Sequence, residues 1–219
     1  MIDSWLSNTK IKNAVDEFVK KLFGSRISAN QLTILGLIFG LLSAFFIFLS
    51  GMMISTLELM IISSIIMIIS FFFDVFDGAV ARTQEPTIFG GILDIFCDRI
   101  VEVFIIIALI STDSTLLIWP GIFTLTSIVL CITMFLVVGG SIKVKDLEET
   151  EKVIYYRKSL IERSETFIFL LLINVLFFWY WRFILLWLFA SLIFLTAFLR
   201  LRDAYIIFKV KEKAKKELV

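Results

Sequence analysis

Asp74-Val75-Phe76-Asp77-Gly78-Ala79-Val80-Ala81-Arg82, followed by Gly90-Gly91-Ile92-Leu93-Asp94-Ile95-Phe96-Cys97-Asp98, is the stretch on which the reading of this chain turns. Apolar residues run from Leu57 to Phe73 before it and resume after Glu102, up to Ile110. Each flank is part of a block close to the roughly 20 residues that cross a bilayer as a helix. The four carboxylates therefore belong to two consecutive membrane helices. Asp74 and Asp77 are spaced i, i+3, and Asp94 and Asp98 i, i+4, so each pair occupies one helix face. Pro86 breaks the chain between them, which predicts antiparallel neighbours with four carboxylates converging in between.

Such a cluster needs compensation. A carboxylate at membrane depth costs about 2.5–3.5 kcal/mol on insertion scales, and four together repel. Protonation, pairing with Arg82 and Arg99, or bridging divalent cations would each relieve them. Hard oxygen donors suit Mg²⁺ or Mn²⁺, and two such ions form a clamp suited to phosphoryl chemistry. Gly78 lies one residue past Asp77, where a side chain would block a ligand. Gly90 and Gly91 open the third helix and let backbone approach closely. Arg82, one turn beyond Gly78, can hold a phosphate oxygen bidentately.

Outward from that stretch the chain reads as membrane protein throughout. Of its 219 residues 59% are apolar, and 24 are Phe, more than a single domain of this length can hide from water. Apolar spans are expected over 31–51, 57–73, 89–110, 116–138, 166–178 and 183–201. Trp179, Tyr180 and Trp181 form an interfacial aromatic belt in the last turn. Residues 3–24 have apolar positions at helical spacing with lysines between, which predicts an amphipathic interfacial helix. The expected fold is all-α: a six-helix transmembrane core over 31–207, preceded by that interfacial helix and followed by a basic tail over 208–219, in one domain spanning 1–219. The N-terminus does not read as a signal peptide, because about 30 polar or amphipathic residues come first.

Charge sets the expected topology. Of the 21 Lys and Arg residues, all but Arg182 fall on one side of the six-span layout. The positive-inside rule then puts both termini, the 141–163 connector and the aspartates on the cytosolic face. A net charge of +1 says nothing by itself about nucleic acid, and no nucleic-acid partner is expected. The absence of histidine excludes His-based triads and His-ligated zinc. Cys97 and Cys131 lie in apolar segments and predict no disulfide framework.

The quoted pattern resembles the signature of the CDP-alcohol phosphotransferase family, D-x-x-D-G-x-x-A-R and then G-x-x-x-D-x-x-x-D, with every named position filled. Seven residues rather than the usual eight separate Arg82 from Gly90. The resemblance implies that Asp74, Asp77, Asp94 and Asp98 bind two ions, Mg²⁺ or Mn²⁺. It also implies that Asp98 is the general base on an acceptor hydroxyl. Ser28-Ala29-Asn30-Gln31-Leu32-Thr33 resembles the family's P-N-x-x-T, with Ala29 in place of proline. Asn30, Thr33, Gly78, Arg82 and Thr87 would then contact a CDP-linked donor.

The implied reaction moves a phosphatidyl-type group from a CDP-linked lipid, such as CDP-diacylglycerol, to a polar alcohol and releases CMP. Lys143 and Lys145 lie where members using inositol phosphate often carry R-x-R. Ile161 to Glu165 resembles their I-E-R-x-E-R, with Thr166 in place of the final arginine. Lys143, Lys145 and Arg163 would accordingly bind a phosphorylated acceptor such as inositol phosphate or glycerol phosphate. Members are often homodimers, so a homodimer in the lipid bilayer is expected. Two alternatives stay open: transfer of a CDP-linked choline or ethanolamine head group to a lipid alcohol, and a divalent-cation transporter.

Overall fold

The computed structural model describes residues 17, 19, 21, 27–52, 56–84, 87–141, 163–176 and 179–217. Among them are six helices: α1 (Ala29–Met52), α2 (Thr56–Thr83), α3 (Ile88–Thr112), α4 (Ser114–Ser141), α5 (Arg163–Val175) and α6 (Trp179–Glu217). Residues 17, 19 and 21 are helical. The rest of the expected interfacial helix lies outside the described residues, as does most of the 141–163 connector.

Local chemistry explains the helix ends. Ser28 and Gln31 form a reciprocal cap at the start of α1. The Gln31 amide donates to Ser28 Oγ at 3.3 Å, and the Ser28 amide donates to Gln31 Oε1 at 3.0 Å. Thr87 caps α3 by accepting from the Gly90 amide at 3.0 Å. Asp113, extended at φ −153°, ends α3 and caps α4 by accepting from the Leu116 amide at 3.1 Å. Helix α4 thus begins at Ser114, two residues before the expected span, and Pro120 lies inside it.

Four helical segments are long and apolar enough to cross a membrane: Ala29–Met52, Thr56–Thr83, Ser114–Val138 and Tyr180–Ile206. The other two expected spans differ from that standard. Asp94, Asp98, Arg99 and Glu102 load the first half of α3 with charge. Helix α5 has 13 residues, about 20 Å at 1.5 Å per residue, short of the roughly 30 Å hydrocarbon layer. Helix α6 runs on for 39 residues, so the lysine-rich tail continues the last helix rather than starting a separate segment.

The packing departs from the expectation that α2 and α3 are neighbours. Helix α1 packs most closely against both, while α2 and α3 barely approach each other. Small residues on α1 allow this. Ser70 Oγ donates to the Gly36 carbonyl at 2.7 Å. A β-carbon at Gly40 would fall 2.5 and 2.6 Å from the γ-carbons of Val101, and one at Gly51 2.8 Å from Thr112 Cα. The carboxylates of α2 and α3 therefore meet across a gap that the two helix backbones do not close.

Helices α4 and α6 form a second tight pair, and α5 lies between the two groups. Ile47, Met67, Leu109, Ile173, Leu186 and Phe189 fill the shared core. The outer faces present apolar residues such as Ile38, Phe45, Ile61 and Phe72, as lipid contact requires. Arg182, read from sequence as the one cation on the far face, is 5% exposed. It donates from Nε to the Ile173 carbonyl at 3.1 Å, from Nη2 to the Asn174 carbonyl at 3.3 Å and from Nη1 to Thr112 Oγ1 at 3.1 Å. It thereby closes the open carbonyl end of the short α5.

Candidate active site

Helix α2 brings Asp74 and Asp77 to its second half, and α3 brings Asp94 and Asp98 to its first half. Asp74, Asp94 and Asp98 each offer a carboxylate oxygen, and these atoms all lie within 4.8 Å of one another. Six ligands at the 2.0–2.1 Å that Mg²⁺ prefers are about 3 Å apart when adjacent and about 4.2 Å when opposite. Three ligands of one octahedron include at least two adjacent pairs, so the three oxygens share one ion once side-chain rotation draws them in by up to about 2 Å, and the donor set is all hard oxygen. The residues fit a divalent cation.

Asp77 is not part of that triad. It is 5% exposed, and its Oδ2 accepts from Thr33 Oγ1 at 2.6 Å. A hydroxyl from α1 therefore holds it one turn away. Asp77 still borders the site from two directions. It lines a small cavity of about 70 Å³ with Asp74, Asp98 and Glu102, and a second pocket with Asp94.

That second pocket, about 270 Å³, gathers residues distant in sequence: Asn30 and Thr33 from α1, Gly78 from α2, and Thr87 and Gly90 at the start of α3. Four of the five residues implied as donor contacts thus share one cavity. Gly90 is pinched between two of its polar groups. A β-carbon there would fall 2.9 Å from Thr87 Oγ1 and 3.0 Å from Asn30 Oδ1. Arg82, the fifth, is exposed. Its Nη1 would lie 3.5 Å from a β-carbon at Gly78, which puts the guanidinium beside that wall.

On the other side of the aspartates lies a cavity of about 380 Å³ between α3, α4, α5 and α6. Asp94, Asp98, Arg99 and Glu102 form one wall, Thr166, Thr196 and Arg200 another, and Ile128, Ile132 and Phe135 an apolar third. The sequence reading missed Arg200 here and counted it only as a topology charge. The available signal was Thr196 and Arg200, two polar residues at i, i+4 near the end of an otherwise apolar run. Arg200 sits 5.2 Å from the Phe135 ring centroid, within cation–π range, and donates to the Cys131 carbonyl at 3.4 Å. Arg99 and Glu102 form an ion pair with each other. Of the expected acceptor residues, Lys143 and Lys145 lie outside the described residues, and only the backbone of Arg163 is described, as the first residue of α5.

The CDP-alcohol phosphatidyltransferase family model matches residues 26–198. No curated protein matches this chain in sequence. The fold is shared with the phosphatidylinositol phosphate synthase PgsA1 of Mycobacterium tuberculosis. The structure of that protein with CDP-DAG bound is 22% identical, with a TM-score of 0.66, covering 88% of this chain and 94% of that one. Its complex with manganese and citrate is likewise 22% identical, with a TM-score of 0.65, covering 87% and 88%.

Proposed function

We propose, from the premise that the chain belongs to the CDP-alcohol phosphatidyltransferase family, that it transfers a phosphatidyl-type group from a CDP-linked lipid to a polar alcohol and releases CMP. One observation carries the reading: Asp94 lines both the 270 Å³ pocket and the 380 Å³ cavity, and the carboxylate triad stands between them. A donor in the first and an acceptor in the second would meet at the aspartates.

Each residue then has a task. Asn30, Thr33, Gly78 and Thr87 receive the nucleotide end of the donor, and Arg82 steadies a phosphate oxygen. Asp98 accepts the proton of the acceptor hydroxyl as its oxygen attacks the lipid-bearing phosphorus. The bond from that phosphorus to the bridging oxygen breaks, and CMP leaves with the bond's electrons. Asp74, Asp77, Asp94 and Asp98 would hold two divalent ions, Mg²⁺ or Mn²⁺, whose chemistry is to neutralise charge on the diphosphate. The apolar walls keep bulk water from competing as nucleophile.

The acceptor is a phosphorylated polar alcohol of the inositol phosphate or glycerol phosphate kind. The cationic wall of the acceptor cavity, Arg99 and Arg200, supports this, with Lys143, Lys145 and Arg163 expected to close around the phosphate. The site faces the cytosol beneath six crossings, with both termini on that side, and the chain works as a homodimer. The burial of Arg182 supports this orientation, because the one cation of the opposite side is consumed in capping α5.

The test is a radiolabelled CDP-diacylglycerol assay in detergent with Mg²⁺ or Mn²⁺, offering inositol phosphate, glycerol phosphate, serine and inositol in turn. A labelled phosphodiester product with stoichiometric CMP is expected from a phosphorylated acceptor. Product from serine or free inositol alone would overturn the acceptor assignment, and no CMP from any of the four would overturn the reaction.

A further inference from the structure

Helix α3 carries a third carboxylate, Glu102, one turn beyond Asp98. Asp94, Asp98 and Glu102 are spaced i, i+4, i+8, and all three line the larger cavity. Glu102 is 7% exposed and pairs with Arg99. The side chains of the pair are 31% exposed for Arg99 and 9% for Glu102, so the carboxylate is the deeper partner.

Arg99 has other carboxylates within its reach along the helix. It follows Asp98 directly in the chain and shares a cavity wall with Asp98 and Asp94. A guanidinium on a long flexible stem, in a poorly hydrated interior, pairs with the carboxylate best able to compensate its charge. If it settled on Asp94 or Asp98, it would occupy lone pairs that a divalent cation needs.

We propose that Glu102 is a positioning residue that holds the Arg99 guanidinium on the wall of the acceptor cavity and off Asp94 and Asp98. It acts on the site only through Arg99. The family signature ends at Asp98, so this assignment adds a control one turn deeper. It rests on the cation reading above. Glutamine at 102 could accept one hydrogen bond from Arg99 but would carry no charge to retain it. Arg99 would then turn to the aspartates and act as an internal competitor for the ion.

The test is Mn²⁺ binding to the purified protein in detergent, followed by electron paramagnetic resonance without substrates. Glu102→Gln is expected to weaken Mn²⁺ binding by roughly 10–100-fold, the range for partners that orient metal ligands. Glu102→Asp, which keeps the charge and so the pair with Arg99, is expected to stay well short of that loss. Adding Arg99→Met to Glu102→Gln is expected to restore affinity, because the competitor is gone. A double variant as weak as Glu102→Gln would mean that Glu102 acts through structure alone and would overturn the proposal. Should Glu102→Gln fail to fold, Arg99→Met by itself decides: affinity held or tightened supports the proposal, and affinity lost overturns it. Wild-type protein that binds no Mn²⁺ would end the cation reading itself, whereas equal binding by wild type and Glu102→Gln would end only the role of Glu102.

Discussion

Gly40→Ala is a one-methyl change seven residues along α1 from Thr33, the nearest site residue of that helix, and far in sequence from the aspartates, yet it should disable the site. The new β-carbon would meet Val101 at 2.5 and 2.6 Å from its γ-carbons and 3.1 Å from its β-carbon. Rotating the valine moves the γ-carbons only, so the clash with its β-carbon stays. Ordinary carbon contacts begin near 3.5 Å, so α1 and α3 must part by up to about 1 Å. Val101 is three residues from Asp98, and α2 stays with α1. The shift therefore widens the gap between Asp74 and the pair on α3. Oxygens now within 4.8 Å must already draw in to come within the roughly 4.2 Å span of one ion, and up to about 1 Å more separation puts that closure out of reach.

The overpacking itself costs about 1–3 kcal/mol, which a packed bundle survives, whereas misplacement of about 1 Å at a reacting centre costs roughly a hundredfold in rate. The assay is CMP release together with Mn²⁺ affinity in folded protein, and both should fall. Val101→Ala in the same chain removes both γ-carbons and should recover most of the loss. Full activity in Gly40→Ala, or a double variant no better than the single, would refute the reasoning that α1 sets the spacing of the aspartates.

Asp98→Asn should abolish CMP release while CDP-lipid binding persists in Mg²⁺ or Mn²⁺; an active variant would remove the general-base role. Arg200→Leu should raise KM for the polar acceptor at least tenfold, about what the loss of one charged hydrogen bond predicts, with donor KM little changed. Lys143→Ala with Lys145→Ala should raise KM for a phosphorylated acceptor far more than for the donor, and an unchanged acceptor KM would take both lysines out of the site. Arg182→Met should lower thermal stability in detergent by several degrees, since about 1.5–3 kcal/mol attends each lost bond from a charged donor. Arg182→Lys should not restore it, because an ammonium lacks the planar fork that reaches two carbonyls and a hydroxyl together; full stability in either variant would argue against the capping role.

Several of these rest on features that periodicity could reach and several on features it could not. The pairing of Asp74 with Asp77, and of Asp94 with Asp98, on single helix faces follows from spacing, and three of the four carboxylates expected to converge, Asp74, Asp94 and Asp98, come together across the two helices. That Asp77 would stand apart was not legible, because its hydroxyl partner Thr33 is 44 residues away. Asn30 and Thr33 came from resemblance to a motif. Their shared pocket with Gly78 and Thr87 depends on how α1 lies over the start of α3. Arg182 counted as a loop charge until the early end of α5 supplied carbonyls for it.

Amino-acid order by itself determined the class of the molecule. Runs of apolar residues near bilayer length, charge gathered at one set of helix ends and two acidic pairs at helical spacing are all local, and backbone hydrogen bonding in lipid leaves a helix as the way to satisfy them. Only the tertiary structure decided which helices touch. It put α1 between α2 and α3, opened the gap that the carboxylates face, matched Arg99 to Glu102 and turned Arg200 into the larger cavity beside the aspartates. Those choices depend on shape, on where a glycine admits a neighbour's side chain, and apolar helices of nearly uniform hydrophobicity differ in shape far more than in the polarity a sequence displays.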